Sequence, residues 1–404
     1  MTSKATMTFK DKLAIFAVFA VCIQWIILKN MGIHLPSPYN AICPGIAIFG
    51  AAYILSWGGE LSVFEIPQAL AISFLAIVAV LPEYAVDMYF AWQAGTKPEY
   101  IHFATANMTG ANRILIGIGW AAVVFAYYIK TKKGEVKLEP GNRVELLALT
   151  LATLYCFIIP FKGTLSYIDS IFLLSLFAWY MYQSSRANHE EPEVEGPVES
   201  IAHWARGPRL AATLIFFIFS GYTIFISAEP FAEGLLESGR HLGIEEFILV
   251  QWLAPLASEA PEFIVAILFA LRGRAKQSLG MLVSSKVNQW TLLVGMLPLV
   301  YAISSGGWNV MQMDARQAEE ILLTAAQSIF AIVLIINLRF SITEALLLFV
   351  LFMTQLFFTT PEARHAYSFV YIALAIGWFL IIRGNREGFI QMFKDGFKNP
   401  KNIR

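Results

Sequence analysis

Leu81-Pro82-Glu83-Tyr84-Ala85-Val86, closed by Phe90-Ala91, and Ala260-Pro261-Glu262-Phe263-Ile264-Val265, closed by Phe269-Ala270, are two copies of one phrase. Both read Pro-Glu-aromatic-x-Val-x-x-x-Phe-Ala. Each copy lies in the second half of a long apolar segment, and a second apolar segment follows it. That second segment carries Asn107, Thr109, Asn112 and Arg113 in the first copy, and Ser284, Ser285, Lys286, Asn288 and Gln289 in the second. A carboxylate inside a membrane-length apolar run costs at least ~2.5 kcal/mol on the insertion scale unless something neutralises it. Two such carboxylates in matched context therefore point to a bundle interior that holds cations or protons.

The surroundings of the two copies define the class. Of the 404 residues, 57% are hydrophobic and 14% charged, with a mean hydropathy of +0.60. A soluble domain carries roughly 25% charged residues, so this chain lacks the polar surface to cover itself in water. Apolar segments run near 12–30, 41–57, 67–92, 101–128, 144–160, 167–184, 210–228, 247–271, 277–302, 318–337, 342–359 and 367–383. The pattern predicts an all-α integral membrane protein of about twelve transmembrane helices. The polar start Met1–Lys12 carries three lysines, and the apolar run after it reads as a retained helix rather than a cleaved signal. The net charge of zero gives no field for nucleic acid. Cys22, Cys43 and Cys156 lie far apart and form no CxxC pair, which removes the usual thiolate metal signatures.

Basic residues set an orientation. One set of loops and the tail holds Lys130, Lys132, Lys133, Lys137, Arg143, Arg186, Arg206, Arg209, Arg272, Arg274, Lys276, Arg339, Arg383, Arg386, Lys394, Lys398, Lys401 and Arg404. The opposite loops hold Lys97, Lys162, Arg240, Arg316 and Arg364. With an even number of spans, both termini are expected in the cytoplasm. The short loops favour a prokaryotic inner membrane.

The Pro-Glu copies fall in the third and eighth segments, five spans apart. An odd offset inverts one copy relative to the bilayer, which is the mark of an inverted-topology transporter repeat. The expected plan is five helices plus five, with one extra helix at each end. The first half-bundle spans 1–184, with its repeat near 67–128. A linker follows at 185–209, carrying Glu190, Glu191, Glu193 and Glu195 and reading as a solvated connection. The second half-bundle is 210–404, with its repeat near 247–302.

The chemistry of the motif is specific. Pro82 and Pro261 remove a backbone donor and leave a carbonyl free one turn earlier. Carbonyl and carboxylate oxygens together suit hard cations such as Ca²⁺, and also Na⁺ or H⁺. Asp87 lies one turn beyond Glu83, and Glu259 lies three residues before Glu262, each on its partner's helix face. Four acids are thus expected to converge when the repeats pack against each other. Lys286 must pair with Glu262 or Glu259, or titrate in a cation's place. Asn107, Asn112, Ser285 and Gln289 serve either the site or interhelical hydrogen bonding. Asp169 reads as a helix-end residue, His102 as interfacial, and Glu344 as a span-start residue facing water. No HExxH or GxSxG falls in a span, so an enzyme is not expected.

These residues resemble the alpha-repeats of the cation/calcium exchanger superfamily, the sodium/calcium and calcium/proton exchangers. That family carries Gly-Thr-Ser-x-Pro-Glu on one helix of each repeat and Gly-Asn-x-x-Gly-Ser-Asn on the next. Here Pro82-Glu83 with Asn107, Gly110 and Asn112 match the first copy, and Ser258, Pro261, Glu262, Gly280 and Ser285 match the second. The resemblance implies that Glu83 and Glu262 are the central carboxylates. It implies that Ser258, Asn112, Ser285 and Gln289 are neighbouring ligands or gates. Val78-Ala79-Val80 and Ala257-Ser258-Glu259 depart from Gly-Thr-Ser, and Lys286 stands where the second motif ends in asparagine. The implied activity is alternating-access antiport of a small cation, Ca²⁺ first, against H⁺ or Na⁺. The implied surroundings are a lipid bilayer and small inorganic cations, with no resident cofactor and no protein partner specified. Competing readings are a transporter that uses Lys286 for another ion or solute, and a non-transporting sensor or assembly component.

Overall fold

The computed structural model describes residues 7–65, 68–186 and 196–398, with side chains in the third helix from Val80 onward. The acidic run Glu190, Glu191, Glu193 and Glu195, the tail residues Lys401 and Arg404, and the Val78 and Ala79 side chains lie outside the described residues. Each of the apolar segments becomes a helix. In chain order these are α1 (Phe9–Asn30), α2 (Tyr39–Ser62), α3 (Gln68–Ala94), α4 (Tyr100–Thr131), α5 (Pro140–Lys162) and α6 (Tyr167–Ser185). There follow α7 (Arg206–Leu242), α8 (Glu246–Leu271), α9 (Ala275–Ser304), α10 (Ala315–Ile335), α11 (Ile342–Gln355) and α12 (Pro361–Ile381). A polar helix, α13 (Arg383–Gly396), closes the chain. Among the described residues, nine helices are long and apolar enough to cross a membrane, and α11 is a shorter apolar helix. The chain is an all-helical, multi-pass integral membrane protein.

Local chemistry fixes several helix starts. Thr8 with Asp11, Ser166 with Asp169, Asp314 with Gln317 and Ser341 with Glu344 form reciprocal capping boxes that satisfy otherwise orphaned backbone donors. Asp169 and Glu344 are therefore the third helical residues of α6 and α11, each closing the box with its N-cap serine. The seventh segment differs from its expected length. Apolarity stops near 228, yet α7 runs 37 residues to Leu242, about 55 Å at 1.5 Å per residue. Glu, Ala, Leu and Arg keep high helix propensity after the apolar run ends, and the helix stops only at Gly243, whose φ of 65° suits a left-handed cap. Arg240 accordingly sits in the last helical turn, not in a loop.

The chain packs as two units. The first comprises residues 1–89 and 188–261, and so contains α1, α2, α7 and most of α3 and α8. Its core gathers Cys22, Ile54, Leu55, Trp57, Phe216 and Ile224. Within it α2 and α7 approach closely. A Cβ on Gly234 would stand 2.6 Å from the Asn40 carbonyl oxygen, and one on Gly45 would stand 2.8 Å from the Phe231 ring. Only glycine permits such backbone proximity. Glu65 is anchored by Arg209 at 2.8 Å.

The second unit comprises residues 90–187 and 262–404. It contains α4 to α6, α9 to α13, and the ends of α3 and α8. Its two halves are built alike. α4 and α9 each contain a π-helical stretch, Leu115–Trp120 and Gln289–Leu293. α6 and α11 each begin with a capping box after a short strand. β1 (Glu135–Lys137) pairs antiparallel with β4 (Arg339–Ser341), and β2 (Thr164–Leu165) with β3 (Met311–Gln312). Each pair joins a loop of the first half to a loop of the second. Helices α2 to α6 thus correspond in order to α7 to α11, with α1 and α12 outside the repeat.

Candidate cation site

Two repeat-equivalent residues meet in the second unit. The π stretch of α4 begins three residues after Asn112, and that of α9 begins three residues after Lys286. A π turn shifts the hydrogen-bond ladder by one residue and is frequent at functional sites. Lys286 Nζ donates to Asn112 Oδ1 at 2.5 Å and to the Asn112 carbonyl oxygen at 3.2 Å. Asn112 Nδ2 donates to the Met108 carbonyl at 2.8 Å, which commits the amide nitrogen to its own helix and turns the amide oxygen toward the lysine. The ammonium also lies 4.4 Å from the centroid of the Trp290 ring, within cation–π range. Both Asn112 and Lys286 are fully buried.

The neighbouring residue serves the acid. Ser285 Oγ donates to Glu262 Oε1. Glu262 is partly buried and makes no ion pair among the described residues. The adjacent side chains of Ser285 and Lys286 thus take the carboxylate of their own repeat's motif and an amide of the other repeat's motif, respectively. The sequence leaves Lys286 to pair with Glu262 or Glu259 or to titrate in a cation's place; it does not point to the Asn112 oxygens to which the ammonium donates. Ser284 hydrogen-bonds Tyr180 Oη at 2.6 Å, tying α9 to α6.

In the first unit Glu83, Asp87, Ser258 and Glu259 are all buried. The Ser258 hydroxyl donates to the Ala254 carbonyl at 3.1 Å, which commits its proton to its own helix. Pro261 leaves the Ala257 carbonyl without its helical donor. Tyr89 Oη donates to Glu233 Oε1 at 2.7 Å, linking α3 to α7. Gln289 is buried at the first position of the π stretch in α9. Among the described residues no group of three or more His, Cys, Asp or Glu side chains gathers as a metal site.

One polar cluster was missed. Arg113 Nη2 lies 2.6 Å from Glu320 Oε2, and Arg364 binds Glu319 at 2.8 Å and approaches Glu320 at 3.9 Å. Sequence placed Arg113 among the polar residues of the first copy and Arg364 in a loop. The signal was Glu319-Glu320 at the head of an apolar segment. His102, read as interfacial, lies 3.3 Å from the half-exposed Asp314.

The sequence matches the family described as sodium/calcium exchanger protein over residues 41–185 and 212–360. Among solved structures, it is similar to "H+/Ca2+ Exchanger CAX" at 44% identity, covering 96% of this chain and 97% of that one, with a TM-score of 0.92. It shares its fold with native YfkE at 16% identity, 91% and 100% coverage and a TM-score of 0.60. It also shares its fold with the sodium-calcium exchanger NCX_Mj at 17% identity, 78% and 97% coverage and a TM-score of 0.51. No curated protein gives a match.

Proposed function

The chain belongs to the sodium/calcium exchanger protein family, and from that premise we propose that it is a secondary antiporter exchanging Ca²⁺ for H⁺ by alternating access. The 44% identical relative is described as an H⁺/Ca²⁺ exchanger, which supports H⁺ over Na⁺ as counter-ion. Glu83 and Glu262 are the central carboxylates, one in each repeat. Asp87 and Glu259 supply further negative charge on the same helix faces. Ser258, Asn112, Ser285 and Gln289 are the neighbouring oxygen donors or gates.

The observation that carries this reading is Glu262 within a membrane helix, accepting a hydrogen bond from the neutral Ser285 and making no ion pair among the described residues. A carboxylate in that setting is costly while charged and unfilled. Ca²⁺ or a proton relieves the cost, and the two compete for the same oxygens. Exchange follows, because the filled or protonated site crosses readily and the bare one does not. No step makes or breaks a covalent bond other than to a proton, so the protein is a transporter and not an enzyme. The basic residues between helices support both termini in the cytoplasm, and the short loops support a prokaryotic inner membrane. The sequence halves 1–184 and 210–404, joined by the 185–209 linker, act as the two inverted half-bundles.

The test is isotopic Ca²⁺ flux in proteoliposomes under an imposed pH gradient. Wild-type protein should accumulate Ca²⁺, and Glu83→Gln and Glu262→Gln should each stop it. Wild-type rates in both variants would overturn the proposal.

A further inference from the structure

We propose that the Lys286 ammonium is a built-in monovalent cation, filling a pair of oxygens that would otherwise take a free ion such as Na⁺ and so making exchange indifferent to sodium. The inference rests on the carboxylate-site reading above and adds to it the reason one class of counter-ion is excluded.

The argument starts from the repeat. Asn112 and Lys286 occupy equivalent positions, each three residues before a π stretch, and they touch. Equivalent positions in direct contact place each residue where the partner repeat can complete it. Two asparagines there would present amides to each other and leave their oxygens for a shared ion. With lysine at one of the two positions, the cation comes attached to the chain.

The geometry is that of a bound cation. Asn112 offers a side-chain oxygen at 2.5 Å and its own carbonyl oxygen at 3.2 Å to the same Nζ. Neutral amide and carbonyl oxygens are hard donors of the kind alkali and alkaline-earth ions use. The amide is held in that orientation by its bond to Met108. The Trp290 ring adds an electron-rich face at 4.4 Å, which favours a positive group there. The whole assembly is excluded from solvent, and Ser285 beside it binds Glu262. The fixed charge therefore sits one residue from the carboxylate's own ligand throughout the transport cycle. It supplies the balance that a mobile monovalent ion would have to supply.

Three proteins decide the matter: wild type, Lys286→Ala, which opens the space, and Lys286→Met, which fills it without charge. Ca²⁺ uptake in proteoliposomes is read with choline, Na⁺ or methylammonium as the only monovalent cation. Wild type should transport equally in all three. Lys286→Ala should be slow in choline and recover several-fold in Na⁺ or methylammonium, and Lys286→Met should stay slow throughout. In detergent, Na⁺ should raise the melting temperature of Lys286→Ala and leave wild type unmoved. Equal transport by Lys286→Ala in all three salts, or no Na⁺-dependent rise in its melting temperature, would overturn the inference. A wild-type protein that carries no Ca²⁺ would instead overturn the antiport reading, and the melting experiment would still decide the role of Lys286.

Discussion

Glu262 and Glu320 belong to the same packing unit and are held in opposite ways. Glu320 is almost wholly excluded from solvent and clasped by Arg113 at 2.6 Å, with Arg364 at 3.9 Å behind it. Glu262 stays partly accessible and takes a hydrogen bond from Ser285. The first glutamate is neutralised by the protein itself, so nothing mobile is needed to keep it there. The second is positioned by a dipole and leaves its charge to be matched by whatever arrives. On the proposed antiport, one bundle carries a structural and a working carboxylate, and the partner type tells them apart. A buried pair matches its own charge; an acid held only by a hydroxyl leaves a charge that a cation or a proton can match.

Four substitutions can break or sharpen that contrast. The largest effect on transport is expected from Glu262→Gln, which should reduce pH-driven Ca²⁺ uptake to the level of empty liposomes while leaving the melting temperature unchanged or raised. A large drop in melting temperature would put Glu262 in the same class as Glu320. Next comes Arg113→Met, which strands a buried carboxylate. Breaking such a pair costs about 3–5 kcal/mol, visible as a lowered thermal midpoint, while the Ca²⁺ affinity of the folded fraction holds. Loss of affinity with stability intact would mean that the cluster serves the ion.

Ser285→Ala removes the hydroxyl that orients Glu262. A hydrogen bond to a charged group contributes ~1.5 kcal/mol or more, so half-saturation for Ca²⁺ should rise roughly tenfold. An unchanged half-saturation would show that the hydroxyl is incidental. The smallest effect belongs to the partly buried Asp395 on α13, outside the membrane helices. Its hydrogen bond from Lys398, then the nearby Arg143 guanidinium, hold its carboxyl below the usual range. Because the folded pKa is lowered, the stabilisation is complete at neutral pH, above the ordinary value near ~3.9. It is lost as pH falls through the depressed value. Asp395→Asn should change stability by about 1 kcal/mol or less at pH 7, and should abolish that acid-side component in pH melts.

The membrane helices were legible because bilayer length and apolarity act residue by residue along the chain. The repeat was legible because its two copies kept Pro-Glu in the same frame. What escaped depended on contacts across the chain. Glu229, Glu233 and Glu237 end an apolar run yet continue a helix, so hydropathy misjudged α7 while the Gly243 cap marked its true end. Lys286 was recognised as a mid-span charge needing a partner. Its bond to Asn112, whose amide nitrogen is committed to Met108, follows from rotamers that no linear spacing encodes. The Trp290 ring, in the π stretch of α9 and 4.4 Å from the ammonium, is a contact that the sequence pattern does not mark. Arg113, Glu320 and Arg364 come from three separate helices, and only folding brings their charges together.

The paired strands carry a consequence for biosynthesis. β1 and β2 are threaded out early, and their partners β4 and β3 emerge only after α10 and α9 have been made. The first half therefore enters the bilayer with two short backbone edges unsatisfied. Until residue 341 has been delivered, those loops wait in water for their complements. A nascent chain released between the two halves would lack both stitches.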